Sequence, residues 1–267
     1  MSTATITVHQ RSTAAGLRGS VAAEWTKLWS VRSTWLNLVG AVLLTGLLGL
    51  QLGFSAAYER DNPAPDQVGV PAEVGGMAIG ALMIVQVVIA AFAMVTVTSE
   101  YATGSIRSTL QWTPVRRDVV LGKALVLAPV LFLYGALLGL VAAVGAGLAA
   151  GRWADWTASA LVMDLLQIGV YAMLAGLFTA GIAFLIRNTA GTLTAAFLLL
   201  LVVPMMLGQS SIRALQWLAA LLPGGAGNGF LSGATDPMSP TLSLVVLVVW
   251  AVAGLAVGLR VLRRRDA

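Results

Sequence analysis

Cysteine is absent from the 267-residue chain, and charged residues are scarce, at 10% of the sequence. Without a thiol, the chain can form neither a disulfide nor a thiolate metal site nor a cysteine nucleophile. A water-soluble domain carries about 25% charged residues. The low charge, together with 58% hydrophobic residues and a mean hydropathy of +0.88, excludes a soluble globule and predicts a protein dissolved in lipid.

Histidine is almost as scarce, and the single imidazole, His9, lies in a Ser/Thr-rich stretch that we expect to be a disordered cytoplasmic arm over residues 1–16. An intramembrane protease needs a serine with histidine, paired aspartates or a metal-binding set within the membrane. The apolar stretches contain no histidine and at most one peripheral aspartate. The sequence therefore predicts a non-enzymatic chain that carries no catalytic residue, cofactor site or metal site.

Six stretches of the sequence carry no Asp, Glu, Lys or Arg, and each is long enough for the roughly 20 residues that cross a hydrocarbon core. They are residues 33–58, 74–99, 124–151, 165–186, 188–212 and 237–259. We therefore predict an all-α integral membrane protein whose six-helix transmembrane domain occupies residues 35–259. The predicted spans are Trp35–Phe54, Val74–Thr98, Lys123–Ala150, Ala160–Ile186, Ala190–Gly208 and Leu242–Leu259.

Basic residues fall mainly on one side of this predicted topology. If the N-terminus is cytoplasmic, 13 of the 16 Lys and Arg residues lie on inner segments and three lie on outer ones. Positive charge is retained on the cytoplasmic side during insertion. We therefore predict a cytoplasmic-membrane protein with both termini inside and a basic tail at residues 260–267. Attraction to anionic lipid accounts for the net charge of +5, so no nucleic-acid partner is expected.

An amphipathic helix is predicted at residues 17–34, ahead of the first span. Its apolar side chains recur at helical spacing, at Leu17, Val21, Trp25 and Leu28. Charged side chains such as Glu24 and Lys27 point elsewhere, so the helix suits the plane of the inner leaflet. Two roles remain open for it: a plain membrane anchor, or transmission of motion to the first span.

A long loop, residues 99–123, joins the second and third predicted spans. A connection of this length inside a compact domain usually has a function or a partner. Thr103 is predicted to cap a short helix in which Ile106 and Leu110 form one apolar edge, and Pro114 is expected to end that helix. The short helix would pack on a neighbouring protein or on the inner ends of the spans; the alternative is a solvated connector.

A seventh charge-free stretch, residues 214–235, is too broken to cross the membrane. Its apolar run stops after nine or ten residues, at Pro223 and two glycines. Counting it as a span would also place the basic tail outside. We therefore predict a short helix over residues 211–222 in the outer leaflet, where it is either re-entrant or interfacial.

Polar side chains inside the spans are few, and they are candidates for the lining of a transport path. Asp164, Gln167 and Tyr171 share one face of the fourth span, and Gln86 lies midway along the second. Counted at 1.5 Å per residue from Arg187, Asp164 lies roughly 34 Å away, in the outer headgroup region. Asp164 is therefore either an interfacial carboxylate or part of an exit path, and the two glutamines could equally join helices by hydrogen bonds.

Two inner segments stand in a fixed order relative to the six spans, EWTKLWSVRSTW before the first and SEYATGSIRSTLQWTPVRRDVVLGKAL after the second. Together they resemble the membrane subunit of an ABC-2 type ATP-binding-cassette transporter, from about residue 20 to 260. The resemblance implies that residues 17–34 are a connecting helix. The site residues expected on the connecting helix are Glu24, Trp25, Lys27 and Leu28.

The resemblance also implies a coupling helix over residues 99–112, within a coupling loop 99–118, that sits in a cleft of an ATPase. Glu100 takes the position of the acidic residue with which that helix begins in the family. The residues expected to couple to the ATPase are Glu100, Tyr101, Ile106, Arg107, Leu110, Arg116 and Arg117. Family members also have a partly re-entrant helical hairpin before the last span.

The chain lacks the GxxxxGK[ST] pattern that wraps the phosphates of ATP, because its only Gly-Lys pair, Gly122-Lys123, is followed by alanine. The resemblance therefore implies a separate ATPase subunit that binds ATP and Mg, and a second copy of this chain or a related permease. We expect an exporter of an amphipathic or apolar substrate. The alternatives are a secondary transporter without an ATPase and a membrane sensor or immunity subunit that moves nothing.

Overall fold

The computed structural model describes residues 13–63, 70–113 and 115–264. Within these ranges the chain forms eleven α-helices: α1 Thr13–Ser30, α2 Arg32–Asp61, α3 Val74–Ala102, α4 Ile106–Trp112, α5 Arg116–Ala150, α6 Ala158–Ile186, α7 Thr189–Phe197, α8 Val203–Gly208, α9 Arg213–Leu221, α10 Pro223–Ser232 and α11 Pro240–Arg264. A π-helical turn, Leu198–Val202, joins α7 to α8, and a 3-10 turn, Gly151–Trp153, follows α5. Two short strands, β1 Ala72–Glu73 and β2 Ala154–Asp155, pair in parallel.

Among the described residues, six segments are long and apolar enough to cross a membrane. They are Arg32–Asp61, Val74–Ala102, Arg116–Trp153, Ala158–Ile186, Thr189–Gly208 and Pro240–Arg264. The predicted all-α integral membrane fold with six spans is confirmed. The helices run further than the predicted spans because a charge-free window marks hydrocarbon depth, whereas terminal charged residues such as Arg32 and Arg116 can stay helical in the headgroup zone.

Helix α5 lies at the centre of the bundle and packs against α2, α3 and α6, while α6 also packs against α11. Small residues allow the closest of these contacts. A Cβ atom at Gly53 would lie 2.1 Å from the carbonyl oxygen of Ala146, and one at Gly181 would lie 2.2 Å from the carbonyl carbon of Gly254. Such approaches increase van der Waals contact between helices in lipid.

The first predicted segments differ in detail from the structure. Of the arm predicted over residues 1–16, residues 13–16 are the start of α1, where two alanines favour a helix, and residues 1–12 lie outside the described ranges. The helix predicted over 17–34 ends at Ser30, and residues 32–34 belong to the first span. Only Val31 separates the two helices, in an extended conformation.

Side chains explain where α1 ends. The Trp35 indole N–H donates to the carbonyl of Trp29 at 3.2 Å, and the Ser30 hydroxyl donates to the carbonyl of Lys27 at 3.0 Å. These side chains satisfy carbonyls that would otherwise lack a partner at the end of a helix. The break contains no glycine or proline, so the sequence pattern did not reveal it.

The predicted outer helix 211–222 corresponds to α9, which ends at Leu221, and the chain then forms a second helix whose residues were not predicted, although the resemblance implies a helical hairpin here. Pro223 occupies the first turn of α10, where its missing N–H removes no helical hydrogen bond. Reading this proline only as a helix breaker was therefore wrong. Whether the α9–α10 hairpin is re-entrant stays a prediction.

Of the tail predicted over 260–267, residues 260–264 end α11, and the last three lie outside the described residues.

Candidate functional site

Four charged side chains from three helices meet at the end of the bundle that carries α4. We call this group the charge cluster; it consists of Glu24 and Lys27 of α1, Glu100 of α3 and Lys123 of α5. The Lys123 ammonium donates to Glu100 Oε1 at 2.9 Å and also to Glu24 Oε2. The Lys27 ammonium lies 3.0 Å from Glu24 Oε1 and 3.5 Å from Glu100 Oε1. Two cations and two anions therefore neutralise one another.

Three of these four side chains are buried. The exposed fraction of the side chain is 4% for Lys123, 6% for Glu24 and 9% for Glu100, against 42% for Lys27. Lys123 also donates to the backbone carbonyl of Thr96 at 2.8 Å, which brings its acceptors to three. Because burying an ion costs several kcal/mol unless it is paired and hydrogen-bonded, each of the three buried charges needs a partner within the cluster.

Helix α4 is tied to the charge cluster through Thr109. The Thr109 hydroxyl donates to Glu100 Oε2 at 3.1 Å and accepts from the Lys27 ammonium at 3.1 Å. Ile106, on the same helix, is 4% exposed and packs inward. A seven-residue helix is unstable alone, so these contacts hold α4 in place.

The other side of α4 faces away from the bundle. Arg107, Ser108 and Gln111 are exposed, and Trp112 is 88% exposed. Cations and tryptophans that are exposed together can form an interaction surface. We call these four residues the α4 surface.

The predicted coupling residues divide between buried and exposed positions. Glu100 and Ile106 are buried and Leu110 is half-buried, whereas Arg107 and Arg117 are exposed. Tyr101 is half-buried, and the guanidinium of Arg187 lies 5.2 Å above its ring. Arg116 donates to the backbone carbonyl of Leu262 in α11.

Three details of the predicted coupling helix are wrong. The helix begins at Ile106 and not at residue 99, because α3 continues through Ala102. Ser105 occupies the N-cap position predicted for Thr103, whose hydroxyl donates instead to the carbonyl of Ser99 at 2.8 Å. Glu100 therefore lies in the last turn of α3, paired inside the bundle.

The predicted connecting-helix residues also divide between buried and exposed positions. Glu24 and Lys27 belong to the charge cluster, and Leu28 is buried at 6% exposure. Trp25 is 49% exposed, and its ring lies edge-on to that of Trp29 with 5.6 Å between ring centroids. One face of α1 thus meets the bundle and the other carries aromatic rings suited to a membrane interface.

Two of the four predicted path residues come together. The buried Tyr171 hydroxyl donates to Gln86 Oε1, and the Gln86 amide donates to the carbonyl of Met83 at 2.6 Å. Asp164 lies elsewhere, against Gly75, which is eleven residues or about 16 Å before Gln86 along α3. Gln167 is half-buried.

Sequence reasoning missed Lys123 as a site residue, although a lysine between two apolar runs was a usable signal. Its partners come from helices distant in sequence, so their pairing required the folded structure. A cavity of about 770 Å³ borders the cluster and is lined by Lys123, Glu24 and the apolar side chains of Phe92 and Val95, among others.

Six apolar spans, with a short helix held at one end of the bundle by buried ion pairs, indicate a multi-pass membrane protein. The chain matches the family described as ABC-2 family transporter protein over residues 20–208, well over half of its length, and it belongs to that family. The match includes the whole charge cluster and ends before α9. Comparison with curated proteins gave no match. Members of this family are generally non-catalytic membrane subunits that normally work with an ABC ATPase.

Proposed function

We propose that this chain is the permease subunit of an ATP-driven exporter that moves an amphipathic or apolar substrate across the cytoplasmic membrane. A separate ATPase subunit binds ATP and Mg and docks on the α4 surface from the cytoplasm. Both termini of the chain are cytoplasmic. A second copy of the chain, or a related permease, completes the transport path.

The proposal rests on the difference between the two sides of α4. One side of this helix is exposed and carries Arg107 and Trp112, and the other side is bonded through Thr109 to charged groups of α1 and α3. A force applied to the exposed side therefore reaches three helices through short polar contacts. A solvated connector would not need an anchor of this kind.

The buried ion pairs make transmission efficient. Separating a buried pair so that one charge is left without a partner costs about 3–5 kcal/mol. Displacement of α4 should therefore move α1, α3 and α5 together and leave the pairs intact. Closure of two ATPase subunits would then tilt the second and third spans and open a path between protomers.

Basic side chains at the α4 end support the proposed orientation. Lys27, Lys123, Arg116 and Arg187 all make contacts at this end of the bundle. Retention of positive charge in the cytoplasm would place α4 within reach of a cytoplasmic ATPase.

The test is co-purification of the permease with an ABC ATPase encoded in an adjacent reading frame, followed by measurement of ATP turnover. We expect Arg107→Glu combined with Trp112→Ala to reduce complex formation at least about tenfold, because hot-spot arginines and tryptophans each contribute 1–2 kcal/mol or more. Arg264→Glu, a charge reversal at an exposed arginine of α11, is the matched control. Unchanged binding and turnover in the double variant would exclude α4 as the docking surface.

A further inference from the structure

A cavity of about 510 Å³ lies between α3, the α7–α8 span, the α9–α10 hairpin and the start of α11. Uncharged polar side chains line it, including Gln86, Asn228 and Ser243. Apolar side chains such as Met83 and Met205 supply the rest of the wall. Its volume is within the 300–1,000 Å³ typical of sites for small molecules.

The cavity wall is built by close packing. A Cβ atom at Gly224 of α10 would lie 1.8 Å from the carbonyl oxygen of Leu200, so the hairpin sits directly against the π-helical turn. The indole N–H of Trp250 donates to the carbonyl of Leu221 at 2.8 Å and holds the end of α9 against α11. The hairpin is therefore held in place as one wall of the cavity.

The lining offers no unpaired charge to an ionic ligand. None of the described residues that line the cavity is Lys or Arg, and its only charged lining residue is Asp236. Both Asp236 oxygens accept from the Arg213 guanidinium, at 2.8 and 2.5 Å. An anion would meet no cation here, and a cation would have to displace a bidentate ion pair.

One polar group in the wall lacks a partner. Ser243 is fully buried, and its Oγ atom has no hydrogen-bond partner among the described residues. Ser243 is also one of the residues that line the cavity. A buried hydroxyl without a partner costs about 1–3 kcal/mol, so a bound molecule that hydrogen-bonds to it recovers that energy.

We propose that this cavity binds an uncharged amphipathic molecule, whose polar group hydrogen-bonds to Ser243 and Gln86 and whose apolar part lies on Met83 and Met205. An amide or hydroxyl group can both donate and accept, which suits this pair of side chains. That the bound molecule is the transported substrate rests on the proposed function. The binding itself does not.

The test uses three benzophenone photoprobes of similar shape: uncharged 4-benzoyl-N-butylbenzamide, anionic 4-benzoylbenzoate and cationic (4-benzoylbenzyl)trimethylammonium. The permease alone is reconstituted in phosphatidylcholine nanodiscs, irradiated and mapped by mass spectrometry. Benzophenone inserts readily into methionine side chains, so adducts are expected at Met83 and Met205. The uncharged probe should label saturably and at least about tenfold more than either charged probe.

Two variants and a control decide whether the adducts come from the cavity. Gly208→Leu should fill it, because a Cβ there meets only Ala219 at 4.0 Å, and labelling should fall at least about tenfold. Gly40→Leu adds the same side chain at an exposed helix position with nothing within 4 Å and should leave labelling unchanged. Ser243→Ala should weaken binding about threefold to tenfold without lowering thermal stability, because the hydroxyl has no partner to lose.

Equal labelling by the charged probes, or labelling that Gly208→Leu leaves unchanged, would overturn the proposal. If Ser243→Ala lowers stability, the hydroxyl has a structural role and the ligand contact assigned to it is wrong. No ATPase or nucleotide is present in this experiment. Failure of ATPase docking and failure of this site are therefore observed separately.

Discussion

The burial of Lys123 in the charge cluster predicts how much stability the protein loses when this lysine is replaced. Lys123→Met leaves Glu24 and Glu100 facing each other with only the half-exposed Lys27 as a cation. Loss of one partner from a buried pair costs about 3–5 kcal/mol. Lys27→Met removes the same charge from the same cluster, but that side chain is 42% exposed, so its loss should cost under about 1 kcal/mol.

The assay is thermal unfolding of the purified permease in nanodiscs, followed by size-exclusion chromatography of the remaining folded protein. The Lys123 variant should unfold several degrees below wild type, and the Lys27 variant should unfold close to it. The double variant Lys123→Met with Glu100→Gln removes one cation and one anion, so it leaves Glu24 paired with Lys27. It should recover about 1–3 kcal/mol relative to the sum of the single changes.

Two outcomes would contradict the role given to the buried charges. If the lysine variants are equally destabilised, burial does not control the energy of the cluster. If the double variant shows the plain sum of the single effects, Lys123 and Glu100 do not interact. Either result would also remove the physical basis for transmission from α4 to the spans.

Two further predictions concern helix packing and the outer surface. Gly181→Ala should separate α6 from α11 and abolish the monodisperse chromatographic peak, because the new Cβ atom would lie 2.2 Å from the carbonyl carbon of Gly254. Gly40→Ala is the control and should behave as wild type, because no atom lies within 4 Å of its Cβ position. The Arg213 guanidinium lowers the pKa of Asp236 by hydrogen bonding. The ion pair therefore stabilises α9 fully when the pH is above the ordinary carboxyl pKa. This stabilisation is lost as the pH falls through the lowered pKa. Hydrogen exchange in residues 213–221 should therefore differ between wild type and Asp236→Asn at pH 6, and the difference should shrink as the pH is lowered and Asp236 becomes protonated.

The spans were predictable because a single physical property, exclusion of charge from hydrocarbon, decides them. Helix ends were less predictable, since they depend on individual hydrogen bonds such as that from the Trp35 indole to the carbonyl of Trp29. Helix α10 was missed because Pro223 can end one helix and begin the next, and the choice depends on contacts with α8 and α11.

The candidate site was predictable only as a set of segments. Through a resemblance, the sequence indicated two separate inner segments, one with Lys27 and one with Glu100, but it assigned Glu100 to an external docking surface. The structure pairs Glu100 inward because Lys123, one helix away, needs a carboxylate in a buried position. Long-range charge pairing of this kind leaves no trace in local periodicity.

The proposed function requires that α4 faces the cytoplasm and binds an ATPase there. The chain has no cysteine, so Ser108→Cys introduces a single thiol on the exposed side of α4, and Ser211→Cys introduces one on the opposite side of the predicted topology. A membrane-impermeant maleimide should label Ser211→Cys in intact cells and Ser108→Cys only in inverted vesicles, where added ATPase should protect it. Labelling of Ser108→Cys from outside intact cells would contradict the account.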